Sequence, residues 1–366
     1  MRVFFWASSL KQWVCQGRFV YLETDWITMK PVEIIGGGVA GLALGHALAN
    51  RNFPVSVVDA GRYPRHRVCG EFICGVSSKT LEALGLPDLK TEGVTHRNVA
   101  WLKQGRLLLN EALPVEVIGV SRYRMDAWIA DRFRSVGGAL TEGEKREGVA
   151  TSPGIVDARG RRYRKGPWLG LKMHLTDFEP MADLEVHLGH RSYVGISAVE
   201  DGRYNVCGLF RRIQGLRARG PELLLAYLKR CGMGPLGERI DVNQIDVSSV
   251  SGVSHFDFRT HLKRSQGFAL GDRWGVIPPF TGNGMSMALE SAALAIAPLS
   301  DYARGDLEWE AACVQYHTTM RRHLKRRLGT AGSLHPFLLN PAGQKLLGWL
   351  AQSRLLPFQA LFRATH

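Results

Sequence analysis

Residues 32–59 decide the fold: Val32-Glu33-Ile34-Ile35-Gly36-Gly37-Gly38-Val39-Ala40-Gly41 opens the stretch and Val55-Ser56-Val57-Val58-Asp59 closes it. The run 32–35 reads as a short strand. Leu42, Leu44, Ala47 and Leu48 set the apolar positions of a helix from Ala40 to Asn50, and 55–58 read as a second strand. Strand, glycine turn, helix and strand in so short a span form a βαβ unit. The glycines of the Gly-x-Gly-x-x-Gly differ in what they allow. Gly36 permits the tight turn, Gly38 lets the backbone approach a pyrophosphate, and Gly41 lets helix and strand come close. The helix N-terminus offers unpaired N–H groups and a positive dipole end to phosphate. Asp59 ends the second strand, where a carboxylate can accept both ribose hydroxyls. This combination points to dinucleotide binding.

Working outward, a second glycine-rich stretch stands far along the chain: Phe268-Ala269-Leu270-Gly271-Asp272, then Gly275, Pro278-Pro279, and Gly282-Asn283-Gly284-Met285. An Asp after a strand-ending glycine can accept hydrogen bonds from a polyol. The two prolines fix a rigid loop, and Gly282 and Gly284 open a helix whose first amides can face an anionic ring edge. A nicotinamide cofactor needs no second site this far on, whereas a flavin with its ribityl chain does.

With both stretches in view, the chain resembles the FAD-dependent oxidoreductases of the p-hydroxybenzoate hydroxylase superfamily, whose second fingerprint is Gly-Asp, a proline, then Gly-x-Gly. Within it the chain looks most similar to the geranylgeranyl reductase-like branch. Gly275 stands where the aromatic hydroxylases carry His, and Pro64-Arg65-His66-Arg67-Val68-Cys69-Gly70-Glu71 resembles that branch's Cys-Gly-Glu segment. The resemblance covers residues 31–300. It implies that Gly36, Gly38, Gly41 and Asp59 hold the ADP half of FAD, that Gly271 and Asp272 hold the ribityl chain, and that Pro278, Gly282 and Gly284 face the ring. Arg122 matches the arginine that opens the family's next helix and contacts the cofactor.

Departures from the pattern narrow the chemistry. The superfamily's middle Asp-Gly corresponds to Asp157-Ala158-Arg159-Gly160, with Arg159 in the Asp position. That counts against ordinary direct use of NAD(P)H and leaves another electron donor open. The halogenase Trp-x-Trp-x-Ile-Pro and the prenyl reductase Tyr-x-Trp-x-Phe-Pro motifs are absent.

No catalytic triad is needed, because a flavin carries the chemistry itself. Cys69 and Glu71 are the side chains near the expected ring that can take part. Cys69 reads either as a thiol activated by Arg65 and Arg67 or as a small buried residue. Glu71 reads as a proton relay, or as a surface or helix-capping carboxylate. His174 and His187 fall on substrate-side strands and read as satisfied polar side chains. No metal site is expected.

The remaining sequence bounds the molecule. At about 150 residues per domain, 366 residues make two domains or one large fold with an inserted lobe. We expect an α/β fold: a Rossmann-type FAD-binding domain assembled from 29–90, 120–160 and 266–300, a β-rich substrate lobe from 91–119 and 161–265, and a helical C-terminal region, 301–366. The last is expected to break at Gly305, Gly329, Pro336 and Pro341. Residues 1–28 read as a leader of uncertain status, with Met29 as an alternative start.

A net charge of +14 implies anionic partners. It concentrates at 159–165 and 321–328, and the second run precedes apolar 346–362. The two readings are peripheral association with an anionic membrane and a helix with a solvated basic face. No aromatic interleaving points to nucleic acid. Six scattered cysteines without Cys-x-x-Cys indicate a reducing, cytoplasmic setting. The function expected is a monooxygenase hydroxylating an aromatic or polyketide-like hydrophobic small molecule. The alternatives are a flavin-dependent reductase saturating C=C bonds of a prenyl or other lipid, and a non-catalytic flavin-binding protein.

Overall fold

The computed structural model describes residues 29–148, 151–162, 165–256 and 267–366, so the 1–28 leader lies outside the described residues. The chain begins with β1 (Val32–Ile35), α1 (Val39–Ala49) and β2 (Val55–Asp59), the βαβ unit read from the sequence. It continues through β3 (Phe72–Cys74), α2 (Ser78–Ala83), β4 (Val94–Lys103), β5 (Arg106–Gly119), α3 (Arg122–Ser135), β6 (Ala139–Glu142) and β7 (Ile155–Asp157). Next come β8 (Trp168–Leu175), β9 (Leu184–Gly189), β10 (Ser192–Ala198), β11 (Tyr204–Arg211), α4 (Gly220–Arg230), α5 (Gly234–Arg239) and β12 (Ile245–Phe256). The last elements are β13 (Phe268–Ala269), α6 (Gly284–Arg304), α7 (Trp309–Leu339), α8 (Pro341–Gln352) and α9 (Phe358–Thr365).

Two sheets organise these elements. A parallel five-stranded sheet runs β13-β7-β1-β2-β6, assembled from segments far apart in sequence. Its centre is apolar because helices cover it; α1 is buried at every position, wedged against α3 and α6. Gly45 of α1 sits against Val57 and the Phe133 ring. The second sheet is mostly antiparallel and runs β12-β8-β11-β10-β9-β4-β5-β3. One of its faces packs Leu171, Met173 and Val206 against Leu224 and Leu228 of α4, forming a separate core. The α/β class, the discontinuous Rossmann-type sheet, the β-rich second sheet and the helical C-terminus are as the sequence implies.

Helix boundaries follow local chemistry. Ser121 caps α3 by accepting the Arg124 N–H, so the helix starts at Arg122. Gly305, left-handed at φ +84°, ends α6. By contrast, α7 runs through Gly329 and Pro336, where the sequence pattern places breaks. An interior glycine costs only about 1 kcal/mol relative to alanine. Pro336 lies in the last turn, and Leu324, Ala331 and Leu338 of α7 are buried on either side of both residues.

Candidate functional site

A groove of about 1000 Å³ opens at the C-terminal ends of the parallel strands and is bounded by Gly36, Gly38, Asp59, Arg122, Gly271 and Asp272. Its geometry follows from the glycines. Gly36 has φ +114°, and a Cβ there would overlap the backbone of Ala158, so only glycine fits. A Cβ on Gly41 would overlap the Gly36 carbonyl, so it sets helix against turn. Gly38 differs: a Cβ would meet nothing nearer than an Arg122 guanidinium nitrogen at 3.7 Å, and at Gly284 nothing within 4 Å. These two glycines leave space that the protein itself does not use.

Two helices begin beside this space without side-chain caps. Neither α1, after Gly38, nor α6, after Asn283, has a capping side chain or an acidic residue in its first turn. Their first amides and positive dipole ends are therefore free for an anion. Arg65, Arg67, Arg159 and Arg273 also line the groove. Asp272 stands where the groove meets a second space. Its side chain is open to the groove, but protein walls enclose it on the other sides. That enclosure pushes its carboxyl upward, opposed by the Arg161 and Arg122 charges.

The second space is a cavity of about 270 Å³ with mostly apolar walls. Trp101, Leu184, Val186, Tyr193 and Leu209 line it from the second sheet, and Leu338, Leu347 and Phe358 from the C-terminal helices. The two spaces share Val68, Cys69, Asp272, Gly284 and Met285 as walls. The C-terminal region is thus a wall of this cavity.

The segment Cys69-Gly70-Glu71 lies at the junction and is gripped by one face of the second sheet. On β8, Lys172 and His174 alternate to the face opposite Leu171 and Met173, as period-two geometry requires. Lys172 Nζ donates to Glu71 Oε1 at 2.8 Å, and His174 Nε2 lies 2.5 Å from Glu71 Oε2. The Arg122 N–H, at the start of α3, also donates to Glu71 Oε1 at 2.9 Å. Asn205, paired with His174 in the sheet register, donates to the carbonyls of Cys69 at 3.0 Å and Gly70 at 2.8 Å. These contacts hold Glu71 at φ +57°, a left-handed conformation that non-glycine residues adopt rarely.

Burial alone would raise the Glu71 carboxyl; the His174 hydrogen bond and the Lys172 charge outweigh it and hold the group below its ordinary range. His66, stacked on Tyr123, places Nδ1 3.2 Å from Lys172 Nζ. Burial, with the Lys172 and His174 charges, lowers His66 to about 4. Asp246 completes a convergence of His66, His174 and Asp246. Lys172 beside the first and Arg203, 2.7 Å from the Asp246 carboxylate, make this a charge-compensated cluster rather than a cation cage.

The structure brings together most residues that the sequence singles out. Gly36, Gly38, Asp59, Arg122 and Gly271 border the groove; Asp272 and Gly284 border both spaces; Glu71 and Gly282 border the cavity. Asp59 is engaged by protein donors: the Gly37 N–H at 2.6 Å, the Gly61 N–H at 2.7 Å and Arg65 at 2.5 Å. Arg122 forms a paired contact with Asp126 at 2.7 and 2.6 Å, which fixes its guanidinium over Gly38. Pro278, expected at the ring, is buried, and Pro279 is the proline that lines the cavity.

Three further residues can be placed. For Cys69 the structure favours the small residue in a turn: it is half-buried, and its surroundings raise the thiol, opposed by the Arg122 charge. Glu71 is not a surface carboxylate, since it is fully buried. Arg159 holds Asp157 at 2.8 Å and the carbonyls of Arg146 and Gly148, so its role at the middle fingerprint is to tie a strand end to a loop. Sequence reasoning missed Lys172 and Asn205, whose only signal is an uncharacteristic polar pair on buried strands. His187, for its part, is satisfied by Glu185 at 2.6 Å.

Comparison with known proteins agrees with this geometry. A family described as an NAD(P)-binding Rossmann-like domain matches residues 34–69. No curated protein matches the chain in sequence. Among solved structures, HpxO of Klebsiella pneumoniae, complexed with FAD and uric acid, is similar at TM-score 0.69 and 16% identity, over 91% of this chain and 97% of that one. The p-nitrophenol 4-monooxygenase PnpA of Pseudomonas putida gives TM-score 0.71 and 12% identity, over 92% and 96%. PqsL of Pseudomonas aeruginosa, in complex with 2-aminobenzoylacetate, gives 0.68 and 16%, over 87% and 98%. The fold is that of FAD-dependent monooxygenases. At these identities the likeness is one of fold. Among the described residues, no helix is long and apolar enough to cross a membrane.

Proposed function

We propose that this protein is an FAD-dependent monooxygenase that hydroxylates an aromatic or polyketide-like hydrophobic small molecule. The observation that carries the reading is the adjacency of two unlike spaces. A groove walled by arginines and bare helix ends lies against an apolar cavity, the two sharing Val68, Cys69, Asp272, Gly284 and Met285 as walls. FAD has this two-part character, with a charged pyrophosphate half and a planar ring joined by a polyol. At Gly38 and Gly284 a Cβ would meet no protein atom nearer than 3.7 Å, which leaves room for such a group to approach the backbone.

When bound, the flavin supplies the electron transfer and oxygen activation that protein side chains lack. The chain's residues do the rest. Gly38 and the first amides of α1 hold the pyrophosphate, with Arg122 fixed above them. Asp272 accepts from the ribityl hydroxyls. The N-terminus of α6, opened by Gly282 and Gly284, stabilises negative charge at the ring edge. The apolar walls exclude water and orient the substrate. The buried Glu71 cluster holds the 69–71 segment rigid at the junction.

The Cys69-Gly70-Glu71 segment also supports kinship with the geranylgeranyl reductase-like branch, and hence a second reading: reductive saturation of C=C bonds in a prenyl or other lipid. Both readings use the same cavity, and the electron donor is NAD(P)H or another reductant. The test supplies NAD(P)H and chemically reduced flavin in parallel to the purified protein with a panel of aromatic and prenyl compounds. Substrate-coupled oxygen uptake with a hydroxylated product supports the first reading. Anaerobic loss of double bonds supports the second. Flavin binding with neither turnover would leave a flavin-binding protein.

A further inference from the structure

The C-terminal helices carry a feature that the cofactor site does not use. From 311 to 366 the chain has no Asp or Glu and eight Lys or Arg. Helix α8 is two-faced in an unusual sense. Its inner face buries Gly343, Gln344, Gly348 and Ala351 and turns Leu347 into the cavity. Its outer face presents Lys345, Leu346 and Trp349, three and four residues apart, to solvent. Leu346 is 48% exposed and Trp349 57%, and Leu355, just beyond the helix, is 60% exposed.

The hairpin between β4 and β5 lies alongside. Leu108 packs under Gly348, Lys103 feels the charge of Lys345, and Leu107 at the hairpin is 51% exposed. Around these contacts, α8, the residues just beyond it and the hairpin also carry Lys103, Arg106, Lys345 and Arg354, none of which meets a carboxylate among the described residues. Isolated exposed leucines need no explanation; a cluster with an interfacial tryptophan and unpaired cations is a different object.

We propose that this face, α8 with the β4–β5 hairpin, docks the protein on an anionic phospholipid surface. Trp349, Leu346, Leu355 and Leu107 enter the headgroup boundary, and Lys103, Arg106, Lys345 and Arg354 meet the lipid phosphates. Charge complementarity favours lipid over a second copy of the chain, because two such faces would bring eight cations together. Docked in this way, the cavity lies one helix away from the lipid. The inference does not depend on which reaction the cavity supports.

The test is co-sedimentation of the full chain with phosphatidylcholine vesicles, with and without phosphatidylserine, over a range of salt. Binding to phosphatidylserine vesicles that salt weakens is the expected result. At about 1 kcal/mol per basic residue near an anionic surface, K345A/R354A lowers affinity roughly 30-fold. L346S/W349S lowers it as well, while unfolding temperature and FAD content stay unchanged because these side chains are exposed. Absence of binding to phosphatidylserine vesicles overturns the proposal. So does binding that both double variants leave intact, which places the contact elsewhere. Self-association of the free protein that L346S/W349S abolishes, without vesicle binding, overturns it too and assigns the face to a dimer instead.

Discussion

Lys172 Nζ lies 2.8 Å from the Glu71 carboxylate, and both side chains are wholly buried. A pair so deep is costly to form and far more costly to break on one side, because the surviving charge stays buried. Glu71→Gln leaves Lys172 with a neutral partner, and we expect a loss of roughly 3–5 kcal/mol in urea unfolding. Lys172→Met is expected to act similarly. The double variant should recover part of the sum, since removing both charges is often close to neutral. Additive losses would mean that the two residues do not act as a pair.

The glycines of the first fingerprint should separate into two classes. Gly36→Ala places a side chain against the Ala158 backbone at φ +114° and should prevent stable folding. Gly38→Val meets only the Arg122 side chain and should fold, with thermal stability close to the parent and FAD affinity lowered at least ten-fold. Equal destabilisation by both would contradict the division between turn and cofactor approach.

Asp272 makes a comparable prediction for the other end of the cofactor. Asp272→Ala removes the acceptor at the junction of groove and cavity and should yield protein with little flavin absorbance. Because this side chain is exposed to the groove, the same substitution should leave unfolding stability close to the parent's. A fully yellow Asp272→Ala protein would place the ribityl chain elsewhere.

Stability should fall in acid in two stages. His66 is held down to about 4, whereas an unfolded histidine protonates near 6.5. Between these values the unfolded chain binds more protons, so stability declines as pH drops through that window. His335, buried and likewise lowered to about 4, adds to it. For Glu185, burial acts upward, but hydrogen bonds from His187 and Arg239 win and lower it from 4.5 to about 2, so its contribution is lost only across that lower range. His66→Asn should flatten the upper stage in a plot of unfolding temperature against pH, and an unchanged slope would remove His66 from the account.

The βαβ unit and the Asp272 loop are legible in the sequence because their determinants are local: glycines, a strand end and a helix start within a few residues of one another. Glu71 stands out in the sequence, but its environment cannot be read there. Lys172 and His174 lie 101 and 103 residues away and reach it only through the register of a sheet. The C-terminal helices read as a tail because nothing local reveals that Leu347 and Phe358 close a cavity built by other segments. Gly329 and Pro336 mislead for the same reason, since burial of their neighbours overrides a modest local penalty.

The most direct measurement is the flavin content of the purified chain, read from the absorbance released on denaturation and again after incubation with FAD. The account predicts one FAD per chain, lost in Asp272→Ala and weakened in Gly38→Val. A colourless protein that takes up no FAD would contradict it.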